Sequence, residues 1–309
     1  MDRLIASNSV PLAQADTAPP TGTPQYATDG NPATNVPATL WPAYAFNALQ
    51  DEIYNVIVAA GLTPNRNTWN QLLAAIESLV SPGCYLGTQV MTTSGTYTPG
   101  TYMVNGVSVT AKMAIVEAQA AGAAGGGPGA TGSGVVNVGT GGNAGTYAKF
   151  LIPRGSLVAM SVTVGAAGTG VSGANGNAGG NLVFGSLCTC PGGVAGQGGS
   201  TGGPTASPDV FPSNILTAAA TITAPAIALA NVPGQGPSAP AFIISTAAAV
   251  SSPGGNSPLG TGGGAQGDGV GGAGLGWGAG GGGGANSASQ SAKAGGNGAQ
   301  AGALVHEYA

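Results

Sequence analysis

The amino-acid sequence predicts a mixed fold. An extended N-terminal arm leads into a short α-helical hairpin, followed by a domain of β-strands and glycine-rich segments of polyproline II type. Three observations carry this reading. Charged residues make up only 5% of the 309-residue chain, whereas glycine occupies 59 positions. Apolar residues recur at helical spacing between residues 41 and 80. Beyond residue 120, glycines recur at every third position in several short runs.

Composition excludes several function classes. A typical globular domain carries about 25% charged residues, so this chain cannot present the charged, solvated skin of a cytosolic enzyme. Glycine-rich, low-complexity sequence is often disordered, but disordered chains are polar, and this one has a mean hydropathy of +0.22. An apolar, uncharged chain left loose would aggregate, so tight backbone packing within an oligomer is expected. The net charge is −4, and the six basic residues are scattered, which makes nucleic acid and anionic membrane poor partners. Cys84, Cys188 and Cys190 form neither an even disulfide framework nor a zinc set; Cys188 and Cys190 read as small buried side chains. The opening MDRLIASNSV has no basic stretch, apolar core and small-residue cleavage site, so no signal peptide is read. Residues 215–232, diluted by alanine and threonine and interrupted by Pro225, do not suit a spanning helix. No membrane insertion is expected.

Residues 1–40 are rich in Pro, Thr, Ala and Asn and have no period; Asp29-Gly30 and Asn31-Pro32 are turn formers. They read as an extended anchoring arm. Residues 41–82 read as a helical attachment and oligomerisation module. Pro42 suits a first helical position, Phe46, Leu49, Ile53, Val56 and Ala60 follow at spacings of 3, 4, 3 and 4, and Gly61 supplies a stop. A second stripe runs through Trp69, Leu72, Ile76 and Leu79, with Asn67 as its N-cap and Ser81-Pro82-Gly83 as its end. Helices this short are marginal alone. Their apolar faces need each other, another subunit, or both, so a plain hairpin and a trimeric coiled coil both fit. Phe46, Leu49, Ile53, Val56, Trp69, Leu72, Ile76 and Leu79 are the oligomer-interface candidates, and a homotrimer is the expected state.

Residues 83–309 form the distal domain. Short β runs at 89–92, 100–104 and 112–117 precede the glycine-rich region, and further strands are expected at 147–152, 157–164 and 181–187. Only eight of the 59 glycines precede residue 120. Runs at three-residue spacing are Gly126/129/132, Gly139/142/145, Gly170/173/176/179 and Gly193/196/199/202. A polyproline II helix has three residues per turn, so each run would stack its glycines along one edge and let neighbouring backbones approach. The runs are too short and too poor in proline for collagen. The Pro/Ala/Thr segment 204–253 has the look of an insertion.

No constellation for catalysis, cofactor or metal emerges. Matches to G-x-G-x-x-G, such as Gly267, Gly269 and Gly272, lack the strand, helix and downstream carboxylate of a nucleotide site. The one histidine, His306, has Glu307 as its nearest carboxylate in sequence, and on a strand adjacent side chains point to opposite faces. Trp277, a lone large aromatic within 271–284, is the receptor-contact candidate, with capping of the bundle or burial between subunits as the alternative.

The segment WPAYAFNALQDEIYNVIVAAGLTPNRNTWNQLLAAI resembles the N-terminal part of bacteriophage tail-fibre and tail-tip proteins. Gly87-Thr88-Gln89-Val90, Met113–Glu117 leading into glycine, Gly145–Ile152, Val162-Thr163-Val164-Gly165 and the closing Leu-Val-His-Glu-Tyr resemble the glycine-rich C-terminal domain of such fibres. The resemblance implies a trimeric virion protein that docks on other tail or baseplate proteins through its N-terminal region. It further implies contact with a host surface receptor (a glycan, pilus or outer-membrane protein) through its glycine-rich domain, with no enzymatic role. His306 stands where that resemblance leads one to expect an aliphatic residue. A purely structural tail-tip protein, and a glycine-rich cell-surface or ice-binding protein, are the rival readings.

Overall fold

The structure, a computed structural model, describes all residues except 1–2, 4–5, 24–25, 81–82, 105–106, 203–208, 212–215 and 246–247. The chain divides into two compact units, Met1–Pro82 and Gly83–Ala309.

In the first unit, α1 spans Ala43–Ala59 and α2 spans Gln71–Val80. Pro42 is the N-cap rather than the first helical residue, with extended φ −77° and ψ 149°. Gly61 ends α1 as expected. Its φ of +75° turns the chain so that Gly61 N–H reaches the Val58 carbonyl at 2.9 Å and Leu62 N–H the Ile57 carbonyl at 3.2 Å, the paired closure of a Schellman motif. Asn67 does not cap α2. Its N–H is instead held by the Asn65 side chain at 2.9 Å, and Trp69 lies in the turn ahead of the helix, its indole N–H donating to the Arg66 carbonyl. Gln71 ties this turn down by accepting from Asn65 N–H at 2.7 Å and donating to the Thr63 carbonyl at 2.8 Å.

The helices close on each other through Ile57 and Ala75, both fully buried. The apolar stripes read from sequence lie elsewhere: Leu49 is 52% exposed, Ile76 47% and Trp69 96%. Within one chain, therefore, the second stripe is exposed along its whole length, whereas Ile53, Val56 and Ala60 of the first are half-buried. Among the described residues of the arm, the regular structure is limited to two 3-10 turns, Leu12–Gln14 and Pro32–Thr34. The arm doubles back on α1, where Arg3 pairs with Asp51 at 3.1 Å and lies over the Tyr54 ring, and Asn47 donates to the Asp16 carbonyl. Arm and helix enclose a cavity of about 370 Å³ that Phe46 and Gln50 help to line.

The second unit is built mainly of short strands. In chain order they are β1 Tyr85–Met91, β2 Gly95–Tyr97, β3 Thr101–Val104, β4 Val107–Thr110, β5 Met113–Gln119, β6 Val136–Val138 and β7 Tyr147–Ile152. There follow β8 Met160–Val164, β9 Leu182–Phe184, β10 Cys188–Cys190, β11 Ser200–Gly202, β12 Asp209–Phe211, β13 Thr221–Ile222 and β14 Ile227–Val232. The last are β15 Ala241–Ser245, β16 Ala248–Val250, β17 Gly260–Thr261, β18 Leu275–Gly276, β19 Ala285–Asn286 and β20 Gly302–Tyr308. One antiparallel sheet has the order β1-β20-β5-β7-β14, and a second has the order β13-β10-β9-β8-β2. Val116, Phe150, Ile152 and Val305 of the first sheet form one core with Tyr97, Val162, Leu182 and Phe184 of the second.

Where β5 ends, the chain keeps going as residues 120–127, outside any strand or helix, and its hydrogen bonds repeat every third residue. Ala120, Ala123 and Gly126 donate to the carbonyls of Thr146, Asn143 and Thr140. Ala121, Ala124 and Gly127 donate to Gly180, Asn177 and Ala174, while Gly122 and Gly125 donate to Ala299 and Gly296. Partner numbers fall by three as donor numbers rise by three, so three antiparallel neighbours flank one central segment. Its carbonyls serve parallel neighbours in the same rhythm: Gly193, Gly196 and Gly199 donate to Ala121, Ala124 and Gly127, and Gly281 and Gly284 to Ala123 and Gly126. Two of the neighbouring segments pair with each other antiparallel in the same rhythm, Gly139, Gly142 and Gly145 donating to Gly284, Gly281 and Gly278.

The glycines of the runs do not all serve one purpose. A Cβ on Gly196 would sit 2.3 Å from the Thr140 carbonyl oxygen and 2.6 Å from Gly126 N, inside fixed backbone. Gly173 is required for a different reason, its φ of +69°, which a side chain disfavours. Gly132 has nothing within 4 Å of its would-be Cβ, so the run of 126, 129 and 132 leaves the packed region before it ends. The described part of segment 204–253 is built into the unit: β14 forms an edge of the first sheet, Thr217 donates to the Ala144 carbonyl, and the Ser252 hydroxyl accepts from Gly141 N–H.

Gly196→Ala is expected to lower stability by about 3 kcal/mol or more, because the extra methyl overpacks rigid backbone. Gly132→Ala is expected to be neutral or to stabilise by about 0.4–1 kcal/mol through the unfolded chain. Thermal or urea unfolding of the two variants checks the contrast.

Candidate functional site

Strand alternation sends the side chains of β20 to opposite faces of the first sheet. Glu307 faces inward and is fully buried. It accepts hydrogen bonds from the Tyr97 hydroxyl at 2.5 Å, from Gly100 N–H at 2.8 Å, from the Gln89 amide at 3.1 Å and from the Tyr102 hydroxyl. None of these four donors is a cation. Burial alone would raise the Glu307 pKa, but the hydrogen bonds from Tyr102, Tyr97, Gly100 and Gln89 outweigh it and hold the carboxyl below its ordinary value. The same contact, ahead of burial, pushes the Tyr102 phenol up to about 12. Three separate segments (β1, the β2–β3 stretch and β20) thus meet at one ionised carboxylate.

His306 faces outward. Its Nδ1 lies 2.8 Å from the Thr88 hydroxyl, which is also 2.8 Å from the Tyr85 hydroxyl, and its Nε2 lies 3.8 Å from Glu117 Oε1. The carboxylate beside His306 is therefore Glu117, diagonal to it on the adjacent strand β5 where it pairs with Leu304, and not its sequence neighbour. Glu117 is already engaged by Lys149 Nζ at 2.9 Å and the Tyr147 hydroxyl at 3.0 Å. Burial works against its ionisation, yet Lys149 and Tyr147 carry the pKa below the ordinary carboxylate range. A hydroxyl, an imidazole and a carboxylate in contact resemble the parts of a nucleophilic triad. Here each is bound up with further partners on the sheet, and the carboxylate and imidazole are beyond hydrogen-bond distance.

Trp277 also lies on the outer face. A Cβ on Gly302 would meet its indole at 2.9 Å, so the ring rests on bare backbone at the start of β20 and is half-buried. This is the sheet end of the glycine segments. At their other end β6 pairs with β11 and β19, and a second sheet of order β12-β15-β16 packs Ala241, Ile243 and Ala249 onto Val136, Val138 and Ala285. The opposite face of that sheet carries the cross-strand row Val210, Phe242, Val250, together with Ile244. Val210 and Ile244 are 54% and 58% exposed. Neither the far-end row nor the Glu307 cluster stood out in sequence, because their members are contributed by segments far apart in the chain.

Cys188 and Cys190 are buried with sulfurs 3.6 Å apart, and Cys190 also approaches the Ala118 carbonyl. The hydrogen bond with Cys188, aided by burial, raises the Cys190 pKa. Among the described residues no group of three or more His, Cys, Asp or Glu side chains could hold a metal ion, and no helix is long and apolar enough to cross a membrane. Comparison with known protein families gave no match, and comparison with curated proteins gave none.

Because the folded pKa of Glu307 is depressed, its contribution to stability is present above the unfolded value near 4.3 and is lost as pH falls through the folded value. Glu307→Gln is expected to cost about 1–3 kcal/mol at pH 7 and to flatten the fall in Tm between pH 5 and pH 2 that the wild type is expected to show. Thiol titration is expected to count one reactive group, the exposed Cys84, in the native chain and three after unfolding.

Proposed function

We propose that this chain is a bacteriophage tail-fibre or tail-tip subunit that attaches to the tail through residues 1–82 and contacts the host cell surface through residues 83–309. The observation that carries this reading is the three-residue hydrogen-bond repeat of the glycine segments. We read those segments as polyproline II helices, whose rise of about 3.1 Å per residue makes the central eight-residue stretch a rigid post about 25 Å long. Binding residues concentrate on loops and edges held by such scaffolds, and the post separates the entry of the chain at β1 from the far-end row of Val210, Phe242 and Val250. The resemblance of residues 41–76 to phage tail proteins supports the attachment role.

The uncovered stripes of the helical hairpin support self-association, with a homotrimer as the proposed state. Fully burying a side chain such as Ile76 or Leu79 is worth about 1.5–3 kcal/mol, and at 47% and 44% exposure in a single chain a large part of that gain is forgone. Trp277, resting on Gly302 at the sheet end, is better placed for a contact within the particle than for the host. The virion tail is the proposed location, the reading gives the chain no catalytic role, and it calls for no cofactor. With few charges near the far end, recognition should depend weakly on salt.

Light scattering of the full-length chain is expected to give a trimer, and Ile53→Asp is expected to dissociate it; a stable wild-type monomer overturns the assembly. Fluorescently labelled full-length protein is expected to bind a subset of a panel of bacterial strains, with binding reduced about ten-fold or more by Val210→Asp combined with Ile244→Asp. Binding to no strain, or binding unaffected by that pair, transfers the assignment to a purely structural tail protein.

A further inference from the structure

An antiparallel sheet with one face in water alternates apolar and polar side chains, whereas one covered on both faces reads as nearly continuous apolar sequence. The first sheet lies between the two. Its inner face builds the core, yet its outer face carries the row Ile115, Leu151, Ile227 directly across β5, β7 and β14, with Val90 beside Leu304 across β1 and β20. Val90 and Ile227 are 59% and 52% exposed in the single chain.

We infer that this outer sheet face is a second self-association surface, covered in the assembled protein by another copy of the same chain. The polar groups on the face argue against a sugar or another polar ligand. Glu117 is already engaged by Lys149 and Tyr147, and His306 by Thr88, which leaves little on the face to read a ligand's hydroxyls. The same pairing suits a homotypic contact, because Glu117 and Lys149 neutralise each other and two copies can meet without burying an unpaired charge.

Size narrows the occupant further. Five strands about 4.8 Å apart, with six or seven residues rising about 3.3 Å each, give a face of roughly 480–550 Å² in projection. A stable interface takes about 800 Å² from each partner, so a freely diffusing protein would hold on weakly. A copy already tethered through the helical hairpin meets the face at an effective concentration in the millimolar range, and a small apolar contact then suffices. The inference rests on the helical self-association proposed above.

The experiment uses the full-length chain with Cys84→Ser, carrying either Val90→Cys or, as a control off the sheet, Met103→Cys. The two positions are similarly open in the single chain, at 59% and 71%, so maleimide should label them within about two-fold of each other if the face is free. In the assembled protein, labelling at position 90 is expected to be at least ten-fold slower than at 103. In parallel, Val90→Glu combined with Ile227→Glu is expected to weaken association at least ten-fold by sedimentation equilibrium, with circular dichroism unchanged. Equal labelling rates in a protein that light scattering shows to be oligomeric overturn the inference and leave the helical association standing. A monomeric wild type overturns both.

Discussion

The second unit depends on one constraint: backbone N–H groups must find carbonyls without the help of long strands or helices. Burying such groups unpaired costs as much as losing hydrogen bonds, and the glycine-rich segments bury many of them. The three-residue repeat solves the problem by directing successive N–H groups of residues 120–127 at three different neighbours in turn. The close approach this needs leaves no room for a Cβ at positions such as Gly196. The paucity of charge follows, since a packed lattice of backbone offers few places to solvate a charged side chain.

The exceptional residues are arranged around that lattice. Glu307 lies in the sheet core, where four uncharged donors from three segments converge on it. Phenol and amide donors keep the carboxylate ionised without importing a cation, consistent with a chain that has six Lys and Arg in total. On the other side of the same strand, His306 and Glu117 meet through cross-strand register rather than through sequence proximity.

Much of the framework was legible in the sequence. Strand β7 lies where the apolar run at 147–152 placed it, and Gly61 ends α1 through the positive φ that glycine allows. Local signals succeed there because the deciding physics is local. They fail where tertiary contacts decide. Trp69 fits a helical spacing but lies outside α2, since Gln71 anchors the preceding turn. Gly132 obeys the same period as Gly126 yet touches nothing, because spacing records where a segment could pack and not where a neighbour is. Segment 204–253 reads as an insertion from composition, but a strand that completes a sheet edge needs only a short apolar run such as 227–232. The Glu307 donors, more than 200 residues away in sequence, leave no local trace.

The order of strands in the first sheet has a consequence for biosynthesis. β20 lies between β1 and β5, so two strands made early in the second unit wait for one made at its end. Ribosomes add about 5–20 residues per second, which leaves β1 and the facing edge of β5 without their partner for roughly 10–40 s. Exposed apolar edges in that interval invite pairing between nascent chains. The wait is long compared with hairpin formation, which takes microseconds, so the closure of this unit is timed by translation rather than by the search for contacts. A chain released before β20 has been made would have the glycine segments but not the strand that joins the two halves of the sheet.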